Sequence, residues 1–162
     1  MSDDLDHANS REKRTVPKDD KHDIPADLVL DRQLCFAVHA ASNRISDLYR
    51  PLLAEHGLTY AQYTTLMALA EEDGVSITHL ATRLGVAKAT MTPLLRKLED
   101  KRLITRAMDA DSERQKSIRI TEAGRDLLSR SCHATEIVFA TTGLTGKQAK
   151  DLISLCKKVS AI

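Results

Sequence analysis

The 162-residue chain has no tryptophan and few aromatic residues of any kind: Phe36, Tyr49, Tyr60, Tyr63 and Phe139 make up 3%. That scarcity excludes stacked sugar sites and single-strand nucleic-acid platforms built on interleaved rings. Six glycines and four prolines are too few for a turn-rich all-β fold. No apolar run approaches the ~18 residues of a membrane helix. Met1-Ser2-Asp3-Asp4 has neither a basic nor an apolar leader pattern, so no secretory signal and no membrane partner are expected. The cysteines, Cys35, Cys132 and Cys156, are odd in number and widely spaced, with no C-x-x-C pair. They form neither a disulfide framework nor a zinc motif, and free thiols fit a reducing, cytoplasmic compartment. His56, His79 and His133 lack ligand spacing, so neither metal nor cofactor is expected.

What is present is a soluble composition, 42% hydrophobic and 29% charged, with enough apolar residues for one core. The net charge of +1 conceals a segregation: Arg83 to Arg119 holds ten basic against five acidic residues. A basic zone on a near-neutral chain points to a polyanion surface, or else to an ordinary solvated helix face. The structure of the zone decides between them.

Residues 1–23 are polar and charge-mixed, with too little apolar surface to offset the entropy of ordering, and read as a disordered arm. From 24 the spacing turns helical. Asp27 caps a first helix carrying Leu28, Leu34, Val38, Ala41, Ile45, Leu48 and Leu52, with Pro51 ending or kinking its last turn. Thr59-x-x-Gln62 is a capping box for a second helix through Leu69. Ser76 caps a short third helix, Gly85 follows, and a fourth carries Met91, Leu94, Leu95 and Leu98. Leu103–Arg106 and Ser117–Ile120 read as strands around a turn at 108–112. Thr121 caps a long fifth helix that runs to Gly143, and Thr145-x-x-Gln148 opens a last helix with Leu152, Leu155 and Val159.

The order helix, Gly turn, helix, hairpin is that of a winged helix-turn-helix. The expected fold is therefore mainly α with a small β-wing. Residues 76–84 form the positioning helix, 87–101 the recognition helix and 103–121 the wing. On a helical wheel Met91, Leu94, Leu95 and Leu98 share the core arc, while Ala89, Thr92, Pro93 and Arg96 point away. Lys88 and Thr90 lie at the helix N-terminus, which enters a major groove in this motif. Small residues permit close approach, threonine methyls meet thymine, and Arg96 reaches a guanine edge or a phosphate. Two local signals disagree: Thr92-Pro93 resembles an N-cap followed by its first helical residue, and Ala87 is a poor cap. A start at Thr92 would abolish the motif, so a start near 87 is expected. In the wing, Arg106, Arg114 and Lys116 suit a narrow, electronegative minor groove, with a plain surface ion pair as the alternative for Arg114.

Several strings carry a family resemblance: Arg32-Gln33-Leu34-Cys35-Phe36-Ala37, Tyr49-Arg50-Pro51-Leu52-Leu53, and Gly57-Leu58-Thr59-Tyr60-Ala61-Gln62-Tyr63. Thr90-Met91-Thr92-Pro93-Leu94-Leu95, Leu98-Glu99, Glu113-Arg114 and Ile120-Thr121-Glu122-Ala123-Gly124 extend them. From Leu30 to Val159 the chain resembles the MarR family of dimeric winged-helix regulators, and within it the organic-hydroperoxide-sensing repressors of OhrR type. The resemblance implies a homodimeric repressor, not an enzyme, that binds a palindromic double-stranded operator and releases it on oxidation. It further implies that Cys35 is the redox sensor and that Tyr49 and Tyr60 hydrogen-bond its sulfur. Chemistry asks the same of these residue types. A peroxide sensor needs a reachable thiolate, phenol donors stabilise that anion, and the sulfenic acid formed condenses with a second thiol. The other reading of Cys35 is a small hydrophobe in a core stripe.

Cys35 and Tyr49 are expected on one helix, 14 residues and about 21 Å apart. If they meet, Tyr49 must come from the antiparallel helix of a second chain, so the sensor predicts a two-fold dimer. The expected division is 24–58 and 122–162 for dimerisation and 59–121 for DNA reading. Three departures from the family stand out. Ala140, in Val138-Phe139-Ala140-Thr141-Thr142-Gly143, occupies the place where some relatives carry a resolving cysteine. His39 replaces a frequent tyrosine, and Ala87-Lys88 replaces a usual Asp-Ser. Resolution by a small cellular thiol is thus expected, with Cys132 as the alternative. Two other functions compete: a repressor released by a small phenolic or antibiotic ligand, and a thiol peroxidase.

Overall fold

A computed structural model describes residues 25, 28–109 and 112–161, without the side chains of 108–109 and 112–116. The expected arm at 1–23 and the expected cap Asp27 lie outside the described residues. The chain divides into two compact units, 1–37 and 38–162.

In the first unit a 3₁₀ turn spans Leu30–Arg32; helix α1, Leu34–Ala54, begins there and has most of its length in the second unit. The first helix therefore begins later than its apolar spacing predicts. Gln33 is extended (φ −83°, ψ 118°), and its side chain folds back to the Val29 carbonyl at 3.3 Å. An extended residue cannot sit inside a helix, so Gln33 separates the turn from α1.

In the second unit α1 ends one turn past the start of its proline: Pro51 is inside the helix, which stops at Ala54. Helix α2, Tyr60–Glu71, opens with the predicted capping box between Thr59 and Gln62. A two-residue strand β1, Val75–Ser76, follows and has no signature in the sequence. Helices α3 (Ile77–Arg83) and α4 (Lys88–Asp100) come next. The hairpin of β2 (Ile104–Asp109) and β3 (Ser112–Ile120) is longer than predicted on both arms. The three strands form an antiparallel sheet in the order β1-β3-β2, with Val75 opposite Ile118 and Ile104 opposite Ile120.

The long fifth helix is two. Thr121 caps α5, Glu122–Arg130, and α6 runs His133–Thr142. At the break, the Ser131 hydroxyl donates to the Leu127 carbonyl at 2.6 Å, and the amides of Cys132 and Ala134 donate to carbonyls three residues back. Serine back-bonding and three-residue hydrogen bonds tighten the backbone, and neither disturbs the apolar spacing that suggested continuity. Gly143 (φ +68°) ends α6, and the Thr145–Gln148 capping box opens α7, Gly146–Ser160.

The core is centred on the winged-helix segment and extends to Tyr49 and Leu53 of α1 and to Ala134 and Val138 of α6. Leu53, Leu66, Leu69, Leu80, Met91, Leu95, Leu98, Ile104 and Ile118 are almost fully buried. No residue of α7 is buried in the single chain. Among the described residues no helix is long and apolar enough to cross a membrane.

Candidate nucleic-acid interface and phenol cluster

Helix α3 starts because the Ser76 hydroxyl accepts the His79 amide at 3.1 Å. It ends at Gly85 (φ +65°), where Gly85 and Val86 donate to the Thr82 and Ala81 carbonyls. This left-handed glycine turns the chain into α4. Helix α4 starts at Lys88, as the motif requires, and not at Thr92-Pro93. Pro93 lies inside it, and the Thr92 hydroxyl donates to the Lys88 carbonyl at 3.1 Å.

Met91, Leu95 and Leu98 fasten α4 to the core, and Leu94 is half-buried. The opposite face presents Lys88, Ala89, Thr90, Thr92 and Arg96, every one exposed. The five expected reading residues thus share one free face. The sequence reading missed Lys97 and Lys101, which line a cleft of about 680 Å³ with Thr90 and Gly57. Lys101 donates to the Gly57 carbonyl. Their four-residue step along the exposed face was the available signal.

Among the described residues, two cations of the basic zone pair with carboxylates. Arg83 pairs with Glu71 and, at 3.3 Å, with Glu72, which also meets His79 Nε2 at 3.0 Å. Arg106, expected to reach DNA from the wing, instead lies with Nε 3.1 Å from Glu99 of α4. Strand alternation explains the difference: Arg106 shares the inward face of β2 with Ile104. The side chains of Arg114 and Lys116 lie outside the described residues, although both belong to β3. Asp73, also missed, accepts the Ile120 and Gly74 amides at 2.9 and 3.1 Å and pairs with Arg125 at 3.1 Å. It ties the end of α2 to β3 and α5.

The three tyrosines form one cluster. The Tyr49 ring lies 4.9 Å from Tyr60 and 5.9 Å from Tyr63, in tilted stacks. The Tyr63 hydroxyl bonds the Thr135 hydroxyl at 3.0 Å, which links α2 to α6. Burial first, then the phenols of Tyr49 and Tyr63, pushes the Tyr60 phenol above its ordinary value. Tyr60 is therefore a neutral O–H donor at physiological pH. Tyr49 and Tyr60, expected as donors to the Cys35 sulfur, pack against each other, and Tyr63 is a third member of the cluster.

Cys35, Cys132 and Cys156 are free and exposed. Cys35 is on α1 in the first unit. Cys132 lies at the α5–α6 break and borders a cleft of about 440 Å³ with Tyr63, Met67, Thr135 and Glu136. His39 hydrogen-bonds Asn43 at 2.9 Å.

A MarR family model matches residues 56–115. The HTH-type transcriptional regulator TtmR of Methylorubrum extorquens is 43% identical over 124 residues, which is 76% of this chain and 64% of that regulator. The HTH-type transcriptional regulator SarZ of Staphylococcus epidermidis is 34% identical over 76% of this chain and 84% of its own length. Among solved structures, the transcriptional repressor CouR bound to a 23-mer DNA duplex superposes with TM-score 0.73 at 26% identity, covering 81% of this chain and 94% of CouR. The MepR–DNA complex of S. aureus gives 0.70 at 25% identity over 80% and 98%. These relatives are regulators, which removes the thiol peroxidase reading. The chain belongs to the MarR family, and it is a DNA-binding transcriptional regulator with a winged helix-turn-helix, not an enzyme.

Proposed function

We propose that this regulator is a cytoplasmic homodimeric repressor that releases a palindromic operator when an organic hydroperoxide oxidises Cys35. The observation that carries the reading is the Tyr49–Tyr60 pair at 4.9 Å, two hydroxyl-bearing rings joined from separate helices. The exposure of the Cys35 thiol supports it too, because a sensor must be reached by its oxidant. In the dimer, Tyr49 and Tyr60 of the partner subunit donate to the Cys35 thiolate. The thiolate attacks the peroxide, the O–O bond breaks, and sulfenic acid and an alkoxide form; the alkoxide takes a proton to become the alcohol. A small cellular thiol then condenses with the sulfenic acid to give a mixed disulfide and water. Cys132 is the alternative resolving thiol.

Dimerisation is assigned to 24–58 and 122–162. The wholly unburied α7, with Leu152, Ile153, Leu155 and Val159 exposed, supports a second copy as its cover. Lys88, Ala89, Thr90, Thr92 and Arg96 read the major groove, and Arg114 and Lys116 reach the minor groove from the wing. Oxidation repacks the dimer contacts and moves the two reading heads out of register.

A second reading, release by a small phenolic or antibiotic ligand, is favoured by the open cleft beside Tyr63 and Thr135. One experiment separates the two. Cys35→Ser should bind the operator normally and stay bound after cumene hydroperoxide. Release of the Ser variant by the hydroperoxide removes Cys35 from the mechanism.

A further inference from the structure

Arg106 is the third residue of β2. Ile104 is buried, Thr105 and Ala107 are exposed, and Arg106 returns inward with 20% of its side chain accessible. Its register partner on β3, Ile118, is also buried. Nε lies 3.1 Å from Glu99 Oε2, yet Nε and Nη2 are sealed from solvent and have no well-aligned acceptor among the described residues. A guanidinium is always charged, and withdrawing it from water is costly unless a partner compensates. Among the described residues the one carboxylate within ion-pair reach is Glu99, on the recognition helix.

We propose that the Glu99–Arg106 pair is a brace that sets the wing against α4, and that Arg106 is a positioning residue which serves DNA binding without touching DNA. The inference rests on DNA reading by α4 and the wing, and is independent of the redox reading. Leu98, Ile104 and Ile118, which neighbour the pair along α4 and across the hairpin, are buried, while Arg102, Thr105 and Thr121 line the open side of the cleft that holds it. Apolar packing is non-directional and leaves the tilt of a hairpin on a helix weakly specified. An ion pair whose arginine is 20% accessible and whose glutamate is 42% accessible adds a distance restraint between the two elements, so it favours one tilt. It joins the element that enters one groove to the hairpin that enters the next.

Glu99→Gln tests this by sign. The substitution is nearly isosteric and removes a negative charge beside a polyanion surface. If Arg106 has no positioning role, loss of that charge leaves affinity unchanged or raises it. Under the brace, affinity falls by about 3- to 30-fold, the scale of a coupling contact. The probe is a palindromic duplex selected by the unaltered chain from a random pool. Binding is measured at a temperature where circular dichroism shows each variant fully folded, so that a stability effect alone moves nothing. Arg106→Met should weaken binding similarly, and the double variant should be no weaker than Arg106→Met.

Tighter or unchanged binding by Glu99→Gln overturns the proposal. So does a loss of about 0.9 in the salt slope in Arg106→Met but not in Glu99→Gln, which marks a direct phosphate contact. If Arg106→Met fails to fold, the sign of the Glu99→Gln effect decides alone.

Discussion

Gly124 of α5 stands directly against the main chain of Leu103. A Cβ at 124 would fall well inside van der Waals contact of the Leu103 carbonyl oxygen and 2.8 Å from Ile120 Cγ1. That carbonyl cannot retreat, because it accepts the Thr121 amide at 3.0 Å. The string Thr121-Glu122-Ala123-Gly124 therefore has a steric basis as well as a capping one: the Thr121 hydroxyl accepts the Gly124 amide at 3.0 Å. Gly124→Ala should destabilise the fold by about 3 kcal/mol, the top of the range for overpacking against backbone. Urea unfolding measures it, and a loss under about 1 kcal/mol would mean that the α4–β2 turn and α5 shift apart freely.

The same turn carries a second constraint. Arg102 has φ +59°, the left-handed region, and no other described non-glycine residue is found there. Its amide donates to Glu99 at 2.8 Å and that of Leu103 to Leu98 at 3.0 Å, which is the bonding of a Schellman motif. Helix α1 ends with the same pattern through Gly57 and α3 through Gly85, so at this third site an arginine replaces glycine. A left-handed L-residue costs about 1–2 kcal/mol, and glycine's extra freedom in the unfolded chain returns about 0.5–1. Arg102→Gly should thus raise stability by about 0.5–1 kcal/mol, visible as a higher urea midpoint at constant m-value.

These two positions show what the sequence makes legible. Capping boxes at Thr59 and Thr145 and the apolar stripe of α4 are local rules, and local rules specified those elements and their order. The exposed face of α4 followed from the same stripe, since a helix that buries Met91, Leu95 and Leu98 must expose Lys88, Thr92 and Arg96. Long-range partners were not legible. Nothing near Arg106 in sequence says that it turns toward Glu99, and nothing near Asp73 says that it accepts the Ile120 amide. The break at Ser131 was hidden for a related reason: a hydroxyl bond to Leu127 leaves the apolar spacing of α5 and α6 continuous.

The phenol cluster predicts an alkaline limb. Tyr60 has its pKa raised above the ordinary 10.0, chiefly by burial and then by Tyr49 and Tyr63. The folded chain therefore holds this proton more tightly than the unfolded chain. Its contribution is fully present below pH 10 and is lost as pH climbs through the folded-state value. Thermal or urea stability should fall with rising pH above 10 in the unaltered chain, and Tyr60→Phe should flatten part of that fall. An identical alkaline slope in the two proteins would mean that the Tyr60 phenol is free to ionise in place.

Lys88 and Arg96 share the exposed face of α4 but differ in what they can do there. Lys88 opens the helix with a flexible ammonium, suited to a phosphate as a point charge. Arg96 lies two turns on with a planar fork that matches a guanine edge. Lys88→Ala should weaken binding to every duplex about equally and lower the salt slope by about 0.9. Arg96→Ala should cost about 1–3 kcal/mol on the selected palindrome and much less on unrelated DNA, so that discrimination collapses at one position of each half-site. Titrations of both variants against selected and scrambled duplexes at three salt concentrations separate these roles. If Arg96→Ala loses the same factor on both duplexes, Arg96 is a backbone contact and the base reading must come from the Ala89, Thr90 and Thr92 surface.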